Sequence, residues 1–127
     1  MNCECMNNLK LKIKKGESLG FAFTLSQNNN PINMTGGSII FQVRDDVADN
    51  GFYVINKTIT EDTSLATIGK ITSAENGTFV IKITDSDIAN LSTLKPYFCA
   101  IYYENNGDSR CISANSGQCA QLIVLNP

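Results

Sequence analysis

The stretch Leu19-Gly20-Phe21-Ala22-Phe23-Thr24-Leu25-Ser26 carries the clearest fold signal in this chain. Four large apolar residues alternate in it with glycine, alanine, threonine and serine. Successive side chains of a β-strand point to opposite faces of a sheet, so this period of two predicts a strand with one buried face. The same period appears upstream in residues 9–14 and downstream in residues 38–44 and 78–84.

Turn signals separate these segments at short intervals. Residues 76–77 and 106–107, both Asn-Gly, predict tight chain reversals because asparagine and glycine accept positive φ. One short helix is predicted over Asp85–Leu91, and either Thr84 or Asp85 is expected to cap its N-terminus. The continuous apolar run Tyr97–Tyr103 predicts a central strand covered on both faces. We therefore predict an all-β fold, an immunoglobulin-like antiparallel β-sandwich of seven to eight strands with one short helix.

Length and charge narrow the class of protein further. The 127 residues predict one domain, with residues 1–8 as a flexible N-terminal arm and residues 9–127 as the sandwich. The net charge of −2, from 10 basic and 12 acidic residues, argues against nucleic-acid binding. No apolar run approaches the ~20 residues of a membrane helix. The first residues lack the pattern of a signal peptide, so we expect synthesis in the cytoplasm and no membrane contact.

The five cysteines are an odd number, which favours free thiols. Cys99 belongs to the long apolar run and is predicted to be a small buried hydrophobic residue. Cys111 and Cys119 flank a turn and can meet across a hairpin, so their pairing stays open. Because the chain has no histidine, a structural zinc would need four of the thiols, and we predict neither metal nor cofactor.

The lack of histidine also removes the commonest general base, and we predict that the chain is not an enzyme. Asp45, Asp46 and Asp49 are interpreted as a solvated loop, because loops collect aspartate for their turns. Asp85 and Asp87 fit the start of the predicted helix, where the helix dipole favours negative charge. A small hydrolase acting through Asp45 or Asp49 is the enzymatic alternative.

A carbohydrate-binding or adhesive module is the second alternative, and it requires an exposed row of aromatic rings on one sheet. The candidate rings are those of Phe52, Tyr53, Tyr97, Phe98, Tyr102 and Tyr103. Tryptophan, the best stacking residue, is absent. The simpler interpretation places the phenylalanine rings in the core and the tyrosines at sheet edges with wet hydroxyl groups.

Residues 9–15 combine apolar and lysine side chains in alternation. Lysine on one face is typical of an edge strand protected against aggregation. We therefore predict that Leu9–Lys15 lies at a sheet edge or reaches out as an arm to a neighbouring protein. Together with two tyrosines of the apolar run, this segment supplies the candidate partner-binding residues Leu9, Lys10, Lys12, Lys14, Tyr102 and Tyr103.

An ordered set of motifs resembles a known family. Residues 15–25 (KGESLGFAFTL) and 30–44 (NPINMTGGSIIFQVR) resemble the pattern K-G-D-T-x-x-F-x-F-T … P-I-D-L-T-G-A-x-I-x-F-x-V-R of small tailed-phage virion domains. The N-terminal domain of phage baseplate upper proteins is a member of that family. Residues 71–91 and 97–108 resemble its later strands, short helix and hairpin in the same order. The sequence departs from the pattern at Gly20, at Pro96 and at the cysteines of the last hairpin.

The resemblance implies an immunoglobulin-like structural component of a bacteriophage virion that acts as a protein–protein docking module. Since the family's long C-terminal extension has no counterpart here, we expect a stand-alone capsid auxiliary or decoration, neck or baseplate protein. Its expected partners are other virion proteins in a symmetric assembly of several copies. The expected location is the virion, after synthesis in the host bacterial cytoplasm. The family offers no catalytic residues.

Overall fold

The structure is a computed structural model that describes residues 10–45, 53–111 and 120–127, with the backbone alone described for residues 109–111. Its elements in chain order are β1 (Lys10–Lys14), β2 (Leu19–Thr24), β3 (Ser26–Gln27), β4 (Asn30–Pro31), β5 (Ser38–Arg44), β6 (Ile55–Ile59), β7 (Gly69–Ser73), β8 (Thr78–Ile83), the helix α1 (Asp85–Ile88), β9 (Tyr97–Asn105), β10 (Asp108–Cys111) and β11 (Ala120–Leu125).

These strands form a larger and a smaller sheet. The larger sheet has six strands in the order β1-β11-β9-β5-β6, and β10 pairs with the remaining length of β9. The smaller sheet has the order β2-β8-β7, and β3 pairs with β4 in a separate two-stranded hairpin. The predicted sandwich class and the short helix are confirmed. The described residues form eleven strands instead of the predicted seven to eight, and two of these, β3 and β4, are only two residues long.

One pairing differs from the predicted antiparallel pattern. β1 runs parallel to β11, with Lys12 opposite Ile123, while the other pairs of the described strands are antiparallel. The two strands are far apart in sequence, so no short hairpin loop dictates their relative direction. After β1 the chain turns at Gly16 and enters the smaller sheet as β2.

The core lies between the two sheets and follows the predicted alternation. On β5, Ile39, Phe41 and Val43 are fully buried, and the residues between them are half-buried. In β2 the predicted phase is correct, but the large side chains are only half-buried because β2 is the edge strand of the smaller sheet. The Phe23 ring stacks on Phe79 with its centroid 5.4 Å away, which closes this edge of the core.

β9 is central, as the apolar run predicted. Its inner face contributes Tyr97, Cys99 and Ile101 to the core. Burial raises the pKa of the Cys99 thiol, in agreement with its prediction as a buried hydrophobic residue. On the outer face Phe98 and Tyr102 are half-buried, so this face of the strand is less covered than predicted. Cys119 lies outside the described residues, and its pairing with Cys111 stays open.

The helix α1 packs at the rim of the sandwich, with Ile88 fully buried. Of the two predicted caps, Thr84 and Asp85, the structure shows Thr84, which forms a capping box with Asp87. The helix ends at Ile88, earlier than expected, and Lys15 Nζ donates to the carbonyl oxygens of Ile88 (3.0 Å) and Ala89 (2.8 Å). Ser18 Oγ accepts from the Asp85 N–H at 2.9 Å. The connection between β1 and β2 therefore holds both ends of the helix.

Candidate interaction surface

The lysine strand lies where the sequence placed it. Among the described strands β1 is the last of the six-stranded sheet, which agrees with the first of the two predicted alternatives, the sheet edge. Leu11 and Ile13 are buried in the core, and Lys10, Lys12 and Lys14 are exposed on the opposite face. Leu9 and the predicted N-terminal arm lie outside the described residues. The partner-binding role of these lysines stays a prediction.

Within the described part of the chain, β1 pairs with β11 along one edge and with no strand along the other. Lys15 N–H donates to the Leu125 carbonyl at 3.0 Å, which continues the pairing with β11. Lys14 N–H points the other way and donates to the Glu17 carboxylate at 3.0 Å, and Glu17 N–H donates to the Lys14 carbonyl at 3.0 Å. Glu17 therefore satisfies the outward backbone groups at one end of the edge.

The two candidate tyrosines point to opposite faces of β9. Tyr102 is half-buried on the outer face of the larger sheet, opposite Ile40 of β5. Tyr103 is buried, and its hydroxyl accepts from Asn105 Nδ2 at 2.9 Å. Lys12 and Tyr102 share the outer face but are separated by β11, so the predicted site residues do not converge on one spot.

The described residues give little support to the two alternative functions, a carbohydrate-binding or adhesive module and a small hydrolase. None of the aromatic side chains among residues 10–45, 53–108 and 120–127 is exposed, and Phe52 lies outside these ranges. Asp45 forms an exposed ion pair with Lys95, while Asp46 and Asp49 lie outside the described residues. The described part of the chain contains no group of three or more side chains that could hold a metal ion. The described helix is too short and too polar to cross a membrane.

A buried ion pair is the polar feature that sequence reasoning missed. Lys57 on β6 is 8% exposed and contacts the Asp87 carboxylate of α1 at 2.5 Å. Its ammonium group also donates to the carbonyl oxygens of Thr67 (2.9 Å) and Lys82 (2.5 Å). The Lys57 side chain, which belongs to the larger sheet, thus contacts β8 of the smaller sheet, the loop that precedes β7 and the helix α1. The available signal was the position of Lys57 in phase with Ile55 and Ile59, which are both buried.

The surroundings of Asp87 set its ionisation. Burial by itself raises the pKa of this carboxyl group. The hydrogen bond from Lys57, the backbone and side-chain hydrogen bonds from Thr84 and the charge of Lys57 outweigh burial and lower the pKa below its usual 3.8. The charged form of Asp87 is therefore stabilised by folding.

This shift predicts an acid-dependent loss of stability. Because the pKa of Asp87 is lower in the folded chain than in the unfolded chain, its contribution is present above pH 3.8 and disappears as pH falls through the folded-state pKa. Urea unfolding measured between pH 2 and pH 7 is expected to show this decline. In Asp87→Asn the acid limb should be shallower than in the unsubstituted chain, and an unchanged slope would contradict the assignment.

No protein-family model and no curated protein matches the chain. Among solved structures, 29 chains match it. One of them is the N-terminal domain of phage TP901-1 ORF48, with a TM-score of 0.52, 15% sequence identity and coverage of 95% of this chain and 88% of that chain. At this identity the likeness establishes a shared fold.

The phage domain and this chain thus share one β-rich fold over nearly their whole lengths. The resemblance to immunoglobulin-like domains of tailed phages, first drawn from the ordered motifs, is confirmed at the level of the fold.

Proposed function

We propose that this chain is a structural component of a bacteriophage particle and acts by docking against other virion proteins. The observation that carries the proposal is the fold shared with a phage domain over 95% of the chain. The absence of histidine from the whole sequence supports a non-enzymatic role, because acid–base catalysis then lacks its usual residue. The proposed assembly contains several symmetric copies, as is usual for oligomers built from one kind of subunit.

The test of this proposal is association with purified particles. Particles are separated from free protein on a density gradient, and the chain is quantified in each fraction by mass spectrometry. We expect it in the particle fractions at a fixed stoichiometry of several copies. Electron microscopy of particles made with and without the gene should then show a density that is lost on deletion. A chain found only among free proteins would overturn the proposal.

A matched control separates assembly from adhesion. Treating finished particles with an excess of the purified chain measures passive adsorption, which should be small and should wash off in salt. If added chain binds as well as the resident chain, the association is adhesive and does not reflect construction of the particle.

A further inference from the structure

Among the described residues, no strand pairs with the outward edge of β1, so a specific set of backbone groups there has no strand partner. Backbone N–H and C=O groups of alternate residues in a strand point to the same edge. Since Lys14 N–H points away from β11 and bonds to Glu17, the backbone groups of Lys10 and Lys12 point outward too. Glu17 closes the carboxyl end of this edge, so the open part is the stretch around Lys10 and Lys12.

The charge along this open part has one sign. Lys10, Lys12 and Lys14 are exposed on one face, and no acidic side chain of the described residues forms an ion pair with them. Lys15 differs, since its ammonium group binds the end of α1. The chain as a whole carries a charge of −2, so the lysine row is a local basic feature on an acidic protein.

Two occupants of this edge are disfavoured by that charge. A second copy that paired β1 against β1 would place lysines beside lysines on the same face, and like charges directly opposite are destabilising. A nucleic acid would meet only a few lysines on a protein of net negative charge. An acidic protein segment in extended form satisfies both the backbone groups and the lysine side chains.

We infer that the free edge of β1 binds an acidic, extended segment of a partner protein, which adds to the six-stranded sheet as a further strand. Main-chain hydrogen bonds to Lys10 and Lys12 supply the geometry of this strand addition. Carboxylates on alternate residues of the segment pair with the lysine row and select the partner. The inference rests on the proposed docking function and names the surface and the chemistry by which docking occurs.

The direct test uses a synthetic peptide of eight alternating glutamate and valine residues with blocked termini. Binding is measured by fluorescence anisotropy, and amide hydrogen exchange is followed in the protein. We expect saturable binding that weakens between 50 and 500 mM salt, with slower exchange at the Lys10 and Lys12 amides. Absence of binding, or binding without protection of these amides, would overturn the inference.

Methylated peptides test strand addition without altering the protein. In an extended peptide the glutamate and valine N–H groups point to opposite edges. N-methylation of one set should therefore abolish binding, and N-methylation of the other set should leave it within about twofold, since each lost hydrogen bond weakens binding about fivefold. Equal binding by both methylated peptides would show attraction by charge alone and refute strand addition.

Protein variants locate the site and separate the two proposals. Lys10→Glu with Lys12→Glu should lower peptide affinity at least about tenfold, whereas the control Lys70→Glu on the smaller sheet should leave it unchanged. Preferential binding of a single-stranded oligonucleotide, or dimerisation through β1, would replace the inferred partner. If particles contain the chain but the peptide does not bind, the edge inference alone fails. If particles lack the chain, the proposed function fails whatever the peptide does.

Discussion

Gly77→Ala is expected to lower the free energy of unfolding by roughly 4 kcal/mol, whereas Gly107→Ala should lower it by about 1 kcal/mol. Both glycines follow an asparagine in a tight turn, and both have positive φ, +68° for Gly77 and +84° for Gly107. The left-handed backbone therefore penalises alanine to a similar extent at the two positions. The difference comes from what surrounds each turn.

A β-carbon at Gly77 would clash with backbone atoms of neighbouring segments. It would lie 2.4 Å from the Leu25 carbonyl oxygen and 2.9 Å from that of Ile32. The same segments are tied together, because Leu25 N–H donates to the Gly77 carbonyl (2.7 Å) and Ile32 N–H donates to the Leu25 carbonyl (2.9 Å). Relief of the clash would break these hydrogen bonds. At Gly107 a β-carbon would meet nothing within 4 Å.

Urea denaturation of the two variants beside the unsubstituted chain measures this difference. Equal losses at the two positions would show that backbone conformation alone sets the effect and that the β3–β4 hairpin does not press on the turn. Since Gly77→Ala risks low yield, Gly77→Asn provides a milder second variant. Asparagine tolerates positive φ but carries the same β-carbon, so it should still be much less stable than the unsubstituted chain.

These two turns show what sequence can predict in this fold and what it cannot. Both Asn-Gly pairs were recognised as reversals, because turn chemistry is local to four residues. The crowding at Gly77 was invisible, since the carbonyl groups involved lie about 45 to 52 residues earlier in the chain. The alternating strands were predicted correctly for the same local reason. The parallel pairing of β1 with β11 joins segments near the two ends of the chain and has no local signal.

The residues of the candidate interaction surface also differ in how well the sequence predicts the face on which they lie. In β1 every second residue is a lysine, so the sequence alone predicts which face of the strand is exposed to solvent. In residues 97–103 nearly all side chains are apolar, so the phase is hidden, and Tyr102 and Tyr103 were taken together although they face opposite sides. The role of Glu17 at the edge of β1 depends on a backbone turn and was also missed.

Asp87→Asn is the second substitution with a large expected effect, a loss of about 3 kcal/mol of the free energy of unfolding. Asparagine keeps an oxygen that can accept the Thr84 N–H, so the start of α1 is largely preserved. What disappears is the negative charge beside the buried Lys57 ammonium group, which is 8% exposed. A buried cation without its anion is strongly destabilising, and the low end of the usual range applies because Asp87 is 25% exposed.

Asp45→Asn is the matched control, because it makes the same chemical change in an exposed ion pair with Lys95. That pair is about half exposed on both sides, so its loss should be under about 1 kcal/mol. The double variant Lys57→Met, Asp87→Asn removes the cation together with its partner and should recover much of the stability lost in Asp87→Asn alone. Recovery would identify the orphaned ammonium group as the cause. A double variant as unstable as the sum of its single substitutions would instead mean that Lys57 stabilises the fold mainly through the Thr67 and Lys82 carbonyl groups, which join β6 to the smaller sheet.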